Sequence, residues 1–174
     1  MIIAISGKSG CGNSTVSRLV AEELSLKWIN YTFRNIAAEK GVTLEQIMEE
    51  ANKSFDWDIY LDNKQKDFLE EGNCVLGSRL AIWLAPKEAL KVYLYASPEV
   101  RAQRIRKREG GDFKDVFNRT KQRDISDSKR YKELYGIDIE KYQEVADIII
   151  DTENMTPKMI KDIITQEAKK RWKV

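Results

Sequence analysis

Apolar and polar positions in the first two dozen residues fall into three blocks. Ile2-Ile3-Ala4-Ile5 is a continuous apolar run, residues 7–12 are small and polar, and Val16, Leu19, Val20 and Leu24 recur at helical spacing. A buried strand, a glycine loop and an amphipathic helix are predicted in that order. Further short apolar runs predict strands at 26–30, 74–76, 92–96 and 147–151. Between them lie helical patterns with start and stop signals. Thr43-Leu44-Glu45-Gln46 reads as a capping box, and a second helix runs from Asp56 to Glu71 before Gly72-Asn73. A short apolar helix covers 80–84. Ser97-Pro98-Glu99 opens a helix that Gly110-Gly111 ends, and Thr156-Pro157 opens the last, with Ile160, Ile163 and Ile164 inside. Strands alternating with helices predict an α/β fold of three layers: a five-stranded parallel sheet with helices on both faces.

Composition narrows the chemistry. A chain of 174 residues fits one domain, and 42% hydrophobic with 33% charged residues suits a globular protein. There is no run of about 18 apolar residues and no basic-then-apolar leader, so a cytoplasmic location and no membrane partner are expected. Two isolated cysteines, Cys11 and Cys74, do not make a disulfide framework or a zinc site, and the chain contains no histidine. Catalysis therefore falls to Arg, Lys, Asp, Glu, hydroxyls, backbone groups and a borrowed ion such as magnesium.

The loop Gly7-Lys8-Ser9-Gly10-Cys11-Gly12-Asn13-Ser14-Thr15 carries the clearest chemical signal. Gly7 and Gly12 stand at the separation of the G-x-x-x-x-G-K-S/T motif, whose backbone N–H groups and helix N-terminus cradle phosphates. Ser14 stands where that motif places its magnesium-holding hydroxyl. Asn13, however, occupies the slot of the motif's lysine. Lys8, in the same loop, is the candidate to supply the missing charge, as a flexible point charge at the loop's front. A second charge is absent where the third strand ends in Gly77 and Ser78, since such strands commonly end in a carboxylate near magnesium.

Arg34, one turn into a helix after the second strand, either presents a guanidinium to an anion or is a solvated helix arginine. Asp58, Asp62 and Gln65 share a helix face that could hydrogen-bond a ribose or base, or simply face solvent. From Arg101 to Lys132 there are twelve basic and five acidic residues, a net +7 against +2 for the whole chain. Such a segment reads as a nucleic-acid surface, a solvated helix pair or a lid over a polyphosphate. The spacing of Arg123, Asp127 and Arg130 favours the lid, because one carboxylate can orient two guanidiniums on one face.

Several stretches together resemble a known family: I-A-I-S-G-K-S-G-C-G at the start, F-R-N-I-A, D-x3-D-x2-Q, S-R-L-A-x-W, A-S-P-E-V-R-A-x-R-I-x-K-R-E-G and R-D-x-S-D-x-x-R-Y-K-E-L-Y-G-I-D-I. Nearly end to end, the chain looks like the cytidylate kinase group of the P-loop nucleoside-monophosphate kinases, and within it the archaeal-type and cytidylate-kinase-like proteins. The resemblance implies a P-loop kinase fold with an acceptor-binding insertion near 31–72 and a lid near 108–137. It implies transfer of the γ-phosphoryl of ATP to CMP or dCMP, with Mg²⁺. It assigns Gly7 to Thr15 to the donor phosphates, Ser14 to the metal, Arg34 and Arg79 to the acceptor phosphate, and Asp62 to the acceptor nucleoside. Arg123, Asp127 and Arg130 would close on the phosphates, with Lys8 as the displaced loop lysine. Small nucleotides are the implied partners; the modest net charge elsewhere and the lack of a reader motif speak against nucleic acid, and nothing in the sequence demands more than a monomer. Two other functions stay open: a catalytically weak nucleotide-binding protein, and a P-loop kinase for a non-nucleotide acceptor.

Overall fold

A computed structural model describes residues 1–51 and 53–173. In chain order the elements are β1 (Ile2–Ser6), α1 (Asn13–Leu24), β2 (Lys27–Ile29), α2 (Phe33–Lys40), α3 (Leu44–Ala51), α4 (Asp56–Glu71) and β3 (Cys74–Gly77). Then come α5 (Ala81–Leu84), β4 (Leu90–Tyr95), α6 (Pro98–Glu109), α7 (Phe113–Tyr135), a 3-10 helix (Ile139–Glu144), β5 (Ile148–Asp151) and α8 (Pro157–Trp172). The strands form one parallel sheet in the order β2-β3-β1-β4-β5. The expected five-stranded parallel sheet is thus present. The second strand is shorter than its apolar run suggested, because Leu26 still donates its N–H to Ala21 O at the end of α1.

β1 lies in the middle and shows why its sequence is apolar without alternation. Ile3 and Ile5 pack into one cluster with Val16 and Val20 of α1 and Ile160 and Ile164 of α8. Ala4, pointing the other way, joins Ile36, Ile47, Leu69 and Ile82 on the opposite face. The helical layers on the two faces complete the three-layer fold.

Local signals hold the helices in place. Thr43 N–H donates to Gln46 Oε1 and Gln46 N–H to Thr43 Oγ1, the reciprocal pair of a capping box before α3. Asp112 caps α7 by accepting from the N–H groups of Lys114 and Asp115, and Thr156 caps α8 by accepting from Met159 N–H. The N-terminus of α1 differs: Gly12 precedes it at φ 103°, and no side chain caps it. Its orphan donors are left for a ligand.

The sheet topology marks a candidate crevice for such a ligand. β1 and β3 are neighbours whose outgoing connections run to opposite sides of the sheet. In open parallel sheets, ligands bind in the crevice at the carboxyl ends of such a pair. The glycine loop follows β1, and Ser78-Arg79 follows β3.

Candidate functional site

The loop between β1 and α1 is held from behind by two arginines of α6. Arg101, almost wholly buried, donates from Nη1 to Ser9 O (3.0 Å) and grips the Asp124 carboxylate through Nη1 (3.2 Å) and Nη2 (2.6 Å). Arg104 donates to Gly10 O (3.4 Å) and, from the same nitrogen, to Thr152 Oγ1 (2.9 Å). Among the loop amides at 8–12, only Cys11 donates to another of the described residues, to Lys8 O (3.1 Å). With the Ser9 and Gly10 carbonyls tied back, the remaining N–H groups are available to an anion. Gly10 is required here twice over. It sits at φ 89°, and a Cβ would lie 2.8 Å from Arg101 O.

The loop opens into a cavity of about 640 Å³, within the range of small-molecule sites. Among the described residues, five cationic side chains line it and no carboxylate does: Lys8, Arg79, Arg104, Arg108 and Arg123. This imbalance makes it an anion site. At its edge, Met155, Pro157 and Ile160 add an apolar shelf. The Cys11 thiol, pushed up to about 11 by burial, stays protonated and supplies no nucleophile.

Two departures from the motif have structural explanations. Asn13 folds back on the loop, its Nδ2 donating to Gly7 O at 2.5 Å, while its buried Oδ1 has no partner. The amide therefore braces the loop. At Gly77 a carboxylate has no room, because a Cβ there would lie 2.3 Å from Ser17 Oγ, 2.7 Å from Ser17 Cβ and 2.8 Å from Asn13 O. Oxygen donors suited to magnesium remain in the cavity. Ser14 there has a hydroxyl that forms no hydrogen bond among the described residues, and the Ser78 Oγ is buried without a partner. Hydroxyls and phosphate oxygens are hard ligands of the kind this ion takes, so the residues fit it.

Three of the sequence-derived site residues, Arg79, Asp127 and Arg130, are joined through one chain of ion pairs. Arg79 donates from Nη2 to Ser9 Oγ (2.8 Å) and pairs through Nε with Asp127 (2.9 Å). Asp127 also accepts from Arg130 (2.8 Å), and Arg130 pairs with Asp58 of α4 (3.1 Å). Tyr135 donates to Asp62 (2.8 Å), so α7 is tied to α4 at two points. Burial raises the Asp62 carboxyl to about 6, against the lowering effect of the Tyr135 hydrogen bond, and burial also raises Asp58. Arg123 has neither hydrogen bond nor ion pair among the described residues. Partial desolvation and then the positive charge of nearby Arg79 push its pKa down, which marks a guanidinium short of negative charge.

Lys8 and Arg34 stand apart from that chain of ion pairs. Lys8 pairs with Glu140 of the 3-10 helix at 2.7 Å while still lining the cavity. Arg34 is exposed in the first turn of α2 and without a partner among the described residues, although Thr32, just before that helix, lines the cavity. Sequence reasoning missed Arg101, Arg104 and Arg108 as site residues, along with Ser78 and the Met155 shelf. The signal for the arginines was present in their spacing of three and four, which puts all three on one face of α6.

A glycine loop at the carboxyl end of the central strand, opening on a cationic cavity and followed by an arginine-rich helix pair, defines a phosphotransferase of the P-loop kinase class. Shikimate kinase from Bacteroides thetaiotaomicron shares this fold over 100% of the present chain and 99% of its own, with a TM-score of 0.65 at 15% identity. The family model for the cytidylate kinase-like family matches residues 2–154. Cytidylate kinase 2 of Borrelia garinii subsp. bavariensis is 44% identical over 174 residues, covering 98% of each chain. A cytidylate kinase of Archaeoglobus fulgidus is 39% identical over 175 residues, covering 98% of this chain and 97% of its own. The chain belongs to the cytidylate kinase-like family.

Proposed function

We propose that this protein transfers the γ-phosphoryl group of ATP to CMP or dCMP, and that the cationic cavity holds the donor's triphosphate. The single observation that carries the reading is the cavity itself: loop amides and five cationic side chains around about 640 Å³ with no acid in the lining. The relatives named cytidylate kinase point to the acceptor. Kinases of this family use ATP with Mg²⁺; when bound, the ion offsets phosphate charge, and Ser14 and Ser78 are the residues that would hold it or its waters.

The protein's own work is alignment and charge compensation. Donor and acceptor phosphates repel one another, and the acceptor is already an anion, so little acid–base chemistry is needed. The residues from Gly7 to Thr15 hold the donor phosphates, and the Met155–Pro157 shelf suits the donor base. Arg79 stands between loop and lid, bonded to Ser9 and Asp127, and so reaches both sides of the transfer. Arg123 is free to move onto the transferred group, Asp127 and Arg130 orient around it, and Lys8 supplies the charge that Asn13 lacks. On the acceptor side, Asp62 and Arg34 take the nucleoside and its phosphate once Arg130 and Tyr135 leave Asp58 and Asp62. The segment 31–72 serves as the acceptor-binding insertion and 108–137 as the lid. The chain acts as a cytoplasmic monomer on free nucleotides without a nucleic-acid partner.

The test is a panel assay. Purified protein with Mg-ATP and CMP, dCMP, UMP, AMP or GMP is followed by ADP formation, with nucleotide binding measured in parallel. Turnover with CMP and dCMP is expected, and Arg123→Ala should lower kcat by about 10² to 10³-fold. ATP binding without turnover of any monophosphate would reduce the protein to a nucleotide binder.

A further inference from the structure

Lys8, the cation of the loop, takes its ion-pair partner from outside the phosphate cavity. The loop passes between two hollows. One is the cationic cavity; the other, of about 240 Å³, lies on the far side and is lined by Tyr93, Tyr142, Arg101 and Glu140 among others. Lys8 and Cys11 line both. In the structure the Lys8 ammonium is turned toward the far hollow, 2.7 Å from the Glu140 carboxylate.

Glu140 stands on a firm base. Ile139 beside it is buried against Leu80 and Tyr131, and Tyr142 stacks on Tyr93 with ring centroids 3.8 Å apart and planes 4° from parallel. Asp138 caps the 3-10 helix by accepting from Glu140 N–H. The backbone that carries the carboxylate is thus fixed, whereas Lys8 has a longer four-carbon stem that can turn about a fixed loop. The motif's usual lysine position cannot compete for the phosphates, because the Asn13 amide is bonded back to Gly7.

We infer that Glu140 is a positioning residue that parks Lys8 away from the phosphates, so that loop charge is delivered only when the lysine exchanges Glu140 for the nucleotide. The inference rests on the reading of Lys8 as the loop's phosphate contact. It predicts that Glu140 opposes nucleotide binding even though it touches no nucleotide. The pair is partly solvated, with Lys8 25% and Glu140 56% exposed in their side chains, so its grip is weak and the exchange is reversible.

A double-variant cycle on the full chain tests this, with kcat and KM for ATP measured separately at saturating CMP. Glu140→Gln keeps the shape and removes the charge on an exposed side chain. It should lower KM for ATP about two- to fivefold, the range of a weak surface pair, and leave kcat near its starting value. Lys8→Met should lower kcat/KM by about 10² to 10³-fold, with partial recovery in Lys8→Arg. In the Lys8→Met background, Glu140→Gln should change KM no further. If Glu140→Gln lowers KM equally in both backgrounds, or leaves it unaltered while Lys8→Met is damaging, the parking role is overturned. If Lys8→Met turns over as the unaltered protein does, the assignment of Lys8 to the phosphates falls first, and the parking role with it.

Discussion

Placing a side chain at Gly77 tests whether the missing strand-end acid is a lost catalytic group or a consequence of packing. A Cβ at this position would lie 2.3 Å from Ser17 Oγ, 2.7 Å from Ser17 Cβ and 2.8 Å from the Asn13 carbonyl oxygen. Ser17 cannot yield cheaply. Its hydroxyl donates to Ser14 O (3.1 Å) and accepts from Trp28 Nε1 (3.0 Å), and the residue is fully buried. Overpacking of this kind costs about 1–3 kcal/mol, and each hydrogen bond broken adds about 0.5–1.5 kcal/mol. Gly77→Ala should therefore destabilise by about 3 kcal/mol, lowering Tm by about 6–12 °C for a chain of this size. Ser17→Gly removes two of the three obstructing atoms, so the double variant should be more stable than the sum of the singles by more than about 1 kcal/mol. Thermal unfolding followed by circular dichroism reads both effects. Gly77→Asp should not raise turnover, because the carboxylate cannot enter without displacing Ser17. An unchanged Tm for Gly77→Ala, or strict additivity with Ser17→Gly, would refute the packing argument.

Asp62 should make stability depend on pH. Its carboxyl moves from 3.8 to about 6 in the folded chain, so the penalty for ionising it grows as pH rises through that window and stays constant above it. Asp62→Asn should match the unaltered protein near pH 4 and exceed it by up to about 3 kcal/mol at pH 7; a Tm difference independent of pH would count against the buried-acid reading. Arg101→Met should cost up to about 3–5 kcal/mol in urea unfolding by leaving the part-buried Asp124 unpaired, and should also weaken ATP binding, with Arg101→Lys restoring only part of either.

Much of this architecture was legible in the residues, and the gaps have physical causes. β1 declared itself because a central strand buried on both faces needs a continuous apolar run. α4 was readable to its bounds, since acidic residues open it and Gly72 at φ 75° closes it. The loop motif pointed to residues that line the cationic cavity. What the loop's neighbours do was not legible, because it depends on contacts between distant parts of the chain. Arg101 read as one more charge in a basic segment, yet its partner Ser9 lies 92 positions away. The same segment held three open readings, and the bonds of Arg104 to Gly10 and of Arg130 to Asp58 give those charges internal partners. Asn13 and Gly77 read as two missing charges. One proves to be a brace and the other a contact too close for any side chain, and neither property is written in residue type.

Arg101 and Arg104 draw the carbonyls of Ser9 and Gly10 outward before any nucleotide arrives. The mould for the phosphates is therefore cast during folding, and its conformational entropy is lost once per molecule rather than once per turnover. Nucleotide affinity then becomes hostage to the seating of α6, a helix that forms the loop's rear wall. Substitutions on the buried face of that helix, such as at Ala102 and Ile105, which pack against Val116 of α7, would be felt as altered ATP binding by a protein whose own phosphate contacts are intact.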